Sequence, residues 1–205
     1  MTMLPKSEMS KMDVKISPTI EDYLGILYIL QRDEEEISGV RLADLLGVSK
    51  PTVTNTLKRM VRDDLVSMDT PEGTCLTEKG WDAAKSVMRR HMLAEWLLSR
   101  MLSWSQIHKE AHNFEHVISA ELEAALQDEM NQPAFCPHGN PLPGNEHLVQ
   151  GWLPLTQFQP ADRLIIRRIH ELAEEKYDIL VFLEKHHIEP AALVTILEEG
   201  VDPQA

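Results

Sequence analysis

The residues best suited to chemistry lie close together in residues 108–119, which read HKEAHNFEHVIS. Side chains three and four positions apart lie on the same face of an α-helix. If this segment is helical, the spacings i, i+4, i+7 and i+8 bring four potential metal ligands onto one face: His108, His112, Glu115 and His116. Imidazole nitrogen and carboxylate oxygen together suit Mn²⁺, Fe²⁺, Zn²⁺ or Co²⁺.

One helix cannot surround an ion, so further ligands must come from other elements. His91 and Glu95 are spaced i, i+4 in RRHMLAEW on the preceding predicted helix, and Asp22 lies on the first one. A single His–Glu pair on a helix is usually a solvated surface pair. Several such residues at same-face spacing in adjacent helices favour a metal site over that simpler interpretation.

The same residues do not fit common catalytic patterns. A zincin needs H-E-x-x-H, whereas HKEAH places Glu110 one position too late. Di-iron bundles need Glu-x-x-His on two helices, and the sequence contains no G-x-S-x-G, P-loop or Rossmann glycine pattern. We therefore predict no enzymatic activity and no small organic substrate. A metal-storage or buffering protein, and a transcription factor with a purely structural metal, are the alternatives to a metal sensor.

The net charge of −13 is unevenly distributed. Residues 1–100 carry 14 of the 20 basic and 16 of the 33 acidic side chains, a balance of −2, and the remainder carry −11. Because DNA contacts are local and made by particular cations, this acidity argues against general DNA coating. It leaves room for a sequence-specific DNA reader in the N-terminal half.

Residues 41–66 predict a helix–turn–helix. A short helix over residues 42–46 and a turn at Gly47 precede a second helix, which Ser49 can cap and Pro51 can begin. The buried stripe of that helix is predicted to be Val53, Leu57, Met60 and Val61.

The other face of this second helix is polar and carries the candidate DNA contacts. We expect Thr52, Thr54 and Asn55 to reach base edges, with Asn reading adenine as the favoured geometry, and Pro51 to meet a thymine methyl. Cationic side chains would hold phosphates and fix register. The complete predicted set is Ser49, Lys50, Pro51, Thr52, Thr54, Asn55, Lys58 and Arg59.

A hairpin and longer helices follow. Residues 65–80 alternate β-formers around Pro71-Glu72-Gly73, and Thr77 can cap the next helix near Glu78. With a first helix over residues 20–31, this is the order of a winged helix. The acidic run 33–36 is predicted to be a solvated turn. Two long helices are predicted over residues 78–103 and 105–129, and the Pro- and Gly-rich residues 133–144 predict a loop.

The compartment is predicted to be the cytoplasm. No window approaches 18 uninterrupted apolar residues, and the N-terminus lacks the apolar region of a secretory signal. Cys75 and Cys136 are too few for a disulfide framework, so we expect reduced thiols.

The order of several motifs resembles the diphtheria toxin repressor family of metal-dependent transcription regulators, which includes the manganese transport regulators. The resemblance spans residues 18–145 and is carried by TIEDYL, SKPTVTNTLKRM, TEKG, VMRRHMLAEWLL, IHKEAHNFEHVIS and HGNPLPG. It implies two metal sites per subunit and a homodimer that binds double-stranded operator DNA when metal is loaded. The apolar side chains of residues 117–126 agree with a dimer.

The resemblance also implies which residues hold metal. The primary site would comprise Asp22, His112, Glu115 and His116, and the ancillary site His91, Glu95 and His108. We expect a bound divalent cation to lock the first helix against the fifth and so to set the spacing of the recognition helices in the dimer. Some members add two ligands from a C-terminal SH3-like domain. Carried along without gaps, these fall on Lys176 and Ile179, which cannot serve, so Glu174 or Glu175 would have to substitute.

The pairing of Asp22 with His112 matches neither the iron-sensing nor the manganese-sensing pattern of the family. Since the primary set contains no sulfur, hard to borderline ions are favoured. Mn(II) is the first choice and Fe(II) the next, while Zn(II) or Co(II) can bind in vitro. Cys136 and His138 in CPHGNP are expected to be packing or solvent residues rather than ligands.

The predicted fold is mainly α, with an N-terminal winged helix-turn-helix, a helical metal-binding and dimerisation domain, and a short C-terminal α+β segment resembling an incomplete SH3-like domain. We expect a flexible extension over residues 1–17, the winged helix over 18–88, the helical domain over 89–150, a linker over 151–162 and the C-terminal segment over 163–205. Because the sequence ends before the barrel strands are complete, we expect that segment to be rearranged, packed or partly disordered.

Overall fold

The structure, a computed structural model, describes residues 16–70 and 73–198. Helices α1 (Pro18–Arg32), α2 (Gly39–Leu45) and α3 (Lys50–Arg62) precede an antiparallel hairpin of β1 (Val66–Thr70) and β2 (Gly73–Leu76). Helices α4 (Glu78–Leu98), α5 (Trp104–Glu115) and α6 (Ala120–Glu129) form the middle of the chain. A C-terminal segment follows, with β3 (Arg163–Ile165), α7 (Glu171–Glu174), α8 (Tyr177–Lys185) and β4 (Leu193–Thr195). The mainly helical fold is confirmed.

Local start signals define the helix–turn–helix and the wing. The Ser49 side chain accepts the Thr52 backbone N–H at the start of α3, and Thr77 accepts that of Gly80 at the start of α4. Both caps were predicted because they depend on neighbouring residues. Residues 71 and 72 of the predicted turn, and residues 1–15 of the predicted N-terminal extension, lie outside the described residues.

The winged helix is built around α1. Leu24 and Leu27 of this helix are fully buried in one core cluster with Val53, Leu57 and Met60 of α3. The prediction for Val61 was wrong, since this side chain is 42% exposed. The buried stripe follows the three- and four-residue steps from Val53, and Thr56 is buried beside Leu57. Val61 lies one step past that stripe and faces solvent.

The prediction of one helix over residues 105–129 was also wrong. Helix α5 ends at Glu115, His116 is its C-cap, and Ser119 then caps α6 by accepting the Leu122 N–H. Ser119 offers a helix start inside the apolar pattern, and that local competition divides the segment. The preceding long helix, predicted to reach residue 103, ends at Leu98.

The loop over residues 133–144 carries the C-terminal segment. A Cβ on Gly139 would lie 2.1 Å from the Arg167 carbonyl oxygen, so only glycine permits this approach, and its φ of +89° also favours glycine. The Ile169 N–H donates to the His138 carbonyl. The segment is therefore packed on the body of the protein, with β3 and β4 paired antiparallel.

Candidate metal centre

The four residues predicted as the primary site lie together, and we call them the first cluster. Asp22 projects from α1, His112 and Glu115 from α5, and His116 from its C-cap. Each offers one ligand atom, and these atoms all lie within 4.8 Å of one another. The Asp22 Oδ1 atom is 3.3 Å from His116 Nε2 and 4.0 Å from His112 Nε2. The cluster therefore joins the helix of the DNA-binding half to α5.

Glu21 orients one imidazole of the first cluster. His116 Nδ1 donates to Glu21 Oε2 at 2.6 Å, which leaves Nε2 facing Asp22. Glu21 is itself buried and accepts from Arg90 Nη2 at 2.6 Å. A carboxylate behind a histidine fixes its tautomer and raises its basicity as a ligand. Glu21 was missed by the sequence analysis because an acidic neighbour of a ligand on a helix carries no signal of its own.

The donor set of the first cluster fits a divalent cation. Burial raises the pKa of the Asp22 carboxyl, and the imidazoles of His112 and His116 oppose that effect. Within the part of the chain that the structure describes, Asp22 Oδ1 is buried without a hydrogen-bond partner of good geometry. An oxygen in this state, among nitrogen and oxygen donors alone, is chemically suited to Mn²⁺, Fe²⁺ or a similar ion.

The predicted ancillary residues also lie together, with one residue more. His91 and Glu95 come from α4 and His108 from α5, and Glu174 from α7 completes a second cluster in which all four residues are buried. His108 Nδ1 is 3.2 Å from Glu95 Oε1 and 2.9 Å from Glu174 Oε2. Glu175 Oε1 is 3.3 Å from His108 Nε2. Both glutamates suggested as substitutes therefore reach this cluster.

Two residues that the sequence analysis set aside adjoin the second cluster. Cys136 and His138 are buried, and both have a ligand atom within 4.8 Å of Glu95. His138 Nε2 donates to the Trp104 carbonyl at 3.2 Å, and its Nδ1 lies 3.2 Å from Glu95 Oε1. A Cys and a His in a Pro-rich loop predict little alone, and the approach to Glu95 depends on how the loop folds over α4.

Burial and charge shift the protonation of the second cluster. Burial disfavours a charged His91, but the Glu115 and Glu95 carboxylates outweigh it and raise the pKa of His91 to about 10. The pKa of His108 is likewise raised, against burial, by Glu174, Glu175 and Glu95. Burial and the nearby carboxylates raise the pKa of the Cys136 thiol. Glu95 Oε2 is buried without a partner among the described residues, which fits a cation ligand.

The two clusters are joined by His91. Its Nδ1 donates to Glu115 Oε2 of the first cluster at 2.5 Å, and its Nε2 lies 3.1 Å from His108 Nδ1 of the second. A cavity of about 250 Å³ is lined by residues of both clusters, including Asp22 and His112. Ligand positions in one cluster are therefore connected to those in the other.

All eight residues predicted to contact DNA are exposed on or next to α3. Thr54 Oγ1 donates to the Lys50 carbonyl at 3.1 Å, and the hydroxyls of Ser49 and Thr52 lie 2.9 Å apart. These hydroxyls are therefore engaged locally, whereas α3 presents Asn55, Lys58 and Arg59 on its exposed face. Among the described helices, none is both long and apolar enough to cross a membrane.

Two family models match the chain. The iron dependent repressor N-terminal DNA binding domain matches residues 15–73, and the iron dependent repressor metal binding and dimerisation domain matches residues 77–144. The iron-dependent repressor IdeR of Mycobacterium tuberculosis is 35% identical over 191 residues, covering 87% of this chain and 83% of the relative. The diphtheria toxin repressor of Corynebacterium diphtheriae is 38% identical over 135 residues, covering 65% of this chain and 60% of the relative.

Solved structures agree with these matches. The manganese regulator SloR has a TM-score of 0.71 at 30% identity, covering 91% of this chain and 86% of that one. ScaR with bound Cd²⁺ has a TM-score of 0.72 at 28% identity, covering 89% and 85%. With both domains matched and a relative of this identity aligned over most of its length, the chain belongs to the iron-dependent repressor family and is a metal-dependent transcriptional repressor.

Proposed function

We propose that the protein represses metal-homeostasis genes from the cytoplasm as a homodimer, binding operator DNA when two metal positions in each chain are loaded. The first position would use Asp22, His112, Glu115 and His116. The second would use His91, Glu95, His108 and Glu174, with His138 and Cys136 beside Glu95. The observation that carries this proposal is the meeting of Asp22, on α1, with three donors at the end of α5.

The residues of the first cluster can control the winged helix because α1 is part of its core. Leu24 and Leu27 of α1 share one buried cluster with Leu42 of α2 and Leu57 of α3. A bound divalent cation would supply the positive charge that holds carboxylates from two elements together. Asp22 then fixes α1 relative to α5, and the rest of the winged helix moves with α1. In the apo protein, Asp22 and Glu115 face each other as like charges.

The recognition helix α3 supplies the DNA contacts in this proposal. We assign base-edge contacts to Thr52, Thr54 and Asn55, and phosphate contacts to Lys50, Lys58 and Arg59. In a dimer, two such helices must reach successive major grooves about 34–36 Å apart. Val117 (69% exposed) and Leu122 (39% exposed), on and next to α6, offer apolar surface for a second copy.

The ligand types favour Mn(II), then Fe(II), at the first position. None of the four residues of the first cluster carries sulfur, so an ion that prefers sulfur gains no advantage from them. Cys136 brings a thiol to the second position, which would soften its preference and admit Zn(II) or Co(II) in vitro. Solved structures of the neighbouring regulator ScaR carry bound Cd²⁺ and Zn²⁺.

The test is fluorescence anisotropy on DNA taken from upstream of the protein's own gene and of nearby metal-transport genes. Mn²⁺ and, anaerobically, Fe²⁺ are titrated separately with the wild-type chain, with His116→Ala, and with His147→Ala as a matched control on an exposed histidine. We expect DNA affinity to rise about 100-fold with the effective ion, within the usual range of allosteric coupling. The rise should survive in His147→Ala and be lost in His116→Ala.

Other outcomes separate the alternatives. Metal binding by calorimetry with no change in affinity for any DNA selected from a random pool would indicate a storage or buffering protein. Loss of helical circular dichroism on chelation, rather than release from DNA alone, would indicate a purely structural metal.

A further inference from the structure

The turn after α1 is only partly the solvated turn predicted for residues 33–36. Glu34 and Glu36 are exposed, but Asp33 is half-buried in an ion-pair joint. The Asp33 Oδ2 atom lies 2.7 Å from Arg32 Nη2, 2.6 Å from Arg168 Nη2 and 2.8 Å from His170 Nε2. Two of these three cationic partners belong to the C-terminal segment. The end of α1 is therefore attached to that segment by charge.

A second carboxylate completes the joint. Glu171, the first residue of α7, accepts two hydrogen bonds from the Arg32 guanidinium, at 2.6 and 2.9 Å. Both side chains are at most 5% exposed. Forked, charge-assisted pairs of this kind are stronger and more directional than single hydrogen bonds. We call Arg32, Asp33, Arg168, His170 and Glu171 the α1–α7 joint.

The joint is not itself a metal site. Asp33, His170 and Glu171 have the donor types of a metal cluster and lie close enough together. However, two guanidinium groups already occupy the carboxylate oxygens, and Arg32 and Arg168 would repel a cation. The chemistry of the joint is therefore that of an interlocked ion-pair network between two elements.

Helix α7 connects this joint to the second cluster. Glu171 and Glu174 are one turn apart, so they move together on a helix of only four residues. Glu171 holds Arg32 of α1, whereas Glu174 lies 2.9 Å from His108 Nδ1 and accepts from the buried Asn140 side chain. A change in the position of Glu174 must therefore reach Arg32 through one rigid turn.

The contacts continue into the helix–turn–helix. His170 Nε2 lies 3.2 Å from Glu35 Oε1, and the other oxygen of Glu35 pairs with Arg41 on α2. Packed side chains and ion pairs thus run without a gap from the second cluster, through α7, to the first helix of the helix–turn–helix. This route is separate from the one that passes through Asp22.

We propose that the α1–α7 joint transmits loading of the second cluster to the winged helix, with Arg32 and Glu171 as positioning residues for DNA binding. This inference rests on the proposed function, because it takes the second cluster to be an ion position. It gives the C-terminal segment a regulatory task that neither DNA contact nor the first cluster requires. The opposing interpretation is that the joint only stabilises the fold.

The test is a double-mutant cycle between the joint and the second cluster. Glu171→Gln removes the charge from the joint and Glu174→Gln removes a donor from the second cluster. Glu129→Gln is the matched control, because Glu129 is an exposed carboxylate paired with Arg100 at 3.6 Å. Equilibrium dialysis with Mn²⁺ counts bound ions, and anisotropy at saturating Mn²⁺ measures operator affinity. Hydrogen exchange of residues 33–45 is followed with and without Mn²⁺.

We expect Glu171→Gln to keep two ions per chain but to bind the operator about five- to twentyfold more weakly than the wild type, within the range of site coupling. The Glu174→Gln variant should weaken binding as much, and the double variant no further. The protection that Mn²⁺ gives to residues 33–45 should be lost in Glu171→Gln and kept in Glu129→Gln.

The inference is overturned if Glu171→Gln binds the operator as the wild type does, or if the two effects multiply in the double variant. If Glu171→Gln loses an ion or unfolds, Arg32→Lys tests the inference instead. This variant keeps the positive charge but cannot make the paired hydrogen bonds of the guanidinium to Glu171. If Arg32→Lys binds the operator with full affinity and shows unchanged hydrogen exchange over residues 33–45, transmission through the α1–α7 joint is overturned. If equilibrium dialysis finds only one ion per wild-type chain, the second metal position is overturned and the transmission through the α1–α7 joint with it. Two ions per chain with unchanged operator affinity in the variants would overturn the transmission alone.

Discussion

The two clusters differ mainly in their access to solvent. In the first, the side chains of Asp22 and His112 are 31% and 46% exposed, and Asp22 Oδ1 has no well-formed hydrogen bond among the described residues. In the second, the side chains of His91, Glu95, His108 and Glu174 are at most 8% exposed and already paired with one another. One cluster can accept an ion directly, whereas the other must first release protons and break ion pairs.

This difference predicts separate roles for the two clusters in metal sensing. The first cluster joins α1 to α5 and is open enough to respond to ion concentration. The second joins α4 and α5 to the C-terminal segment through Glu174. Burial strengthens its electrostatic interactions, but it also makes each unpaired group costly. We therefore expect the first cluster to set sensitivity and the second to set how firmly the loaded state is held.

The largest effect that would sharpen this comparison is expected from Glu21→Gln. Without the carboxylate behind His116, the orientation and basicity of that imidazole are lost, which should lower Mn²⁺ affinity at the first cluster about 10- to 100-fold. Affinity at the second cluster should change little. Calorimetry with Mn²⁺ resolves the two positions, and Glu110→Gln is the control on an exposed glutamate of α5. An equal loss of Mn²⁺ affinity at both clusters would contradict their separate roles.

A smaller effect is expected from pH. A ligating imidazole must be neutral, yet the pKa of His91 is raised to about 10 and that of His108 is also raised. At neutral pH the His91 imidazole is therefore protonated in the apo protein, and an ion that takes it as a ligand displaces that proton. Affinity at the second cluster should therefore rise from pH 6 to pH 8, about tenfold per pH unit for each proton displaced.

The pH experiment is calorimetry of Mn²⁺ binding in two buffers with different ionisation enthalpies, which counts released protons directly. At the first cluster, the raised pKa of Asp22 means that affinity should fall when acidification protonates this carboxyl. If Mn²⁺ binding releases the same number of protons at both clusters near pH 7, the clusters do not differ in protonation as we expect.

The smallest effect on Mn²⁺ affinity is expected from Cys136→Ser. The thiol lies beside Glu95, and burial raises its pKa, so a hard ion gains little from it. Mn²⁺ affinity should change by no more than about threefold, whereas softer ions that prefer sulfur should lose more. Co²⁺ absorption reports this, because a sulfur-to-cobalt band should be present in the wild type and absent in the variant. Absence of that band in the wild type would place Cys136 outside the metal position.

The features predicted correctly from the sequence share a local origin. Ser49 and Thr77 cap helices through backbone groups three residues away, and the hairpin follows from β-formers around a turn. The same local logic failed where two signals competed. Ser119 begins a new helix within a stretch of continuous apolar periodicity, and Val61 lies at the edge of a stripe that Thr56 shares. The turn at Asp33 was misread because its partners, Arg168 and His170, are more than 130 residues away.

The amino-acid sequence is sufficient to derive the winged-helix order, the same-face spacing of His108, His112 and Glu115, and the family to which they point. Helical periodicity relates residues within a few turns of each other, so these features can be read from one segment. Three further features depend on tertiary packing: Glu21 supports His116, Cys136 and His138 reach Glu95, and α7 connects Glu174 to Arg32. Contacts between distant segments have no period in the sequence. They depend on how the loop over residues 133–144 and the C-terminal segment pack, and the close approach at Gly139 is one contact of that packing.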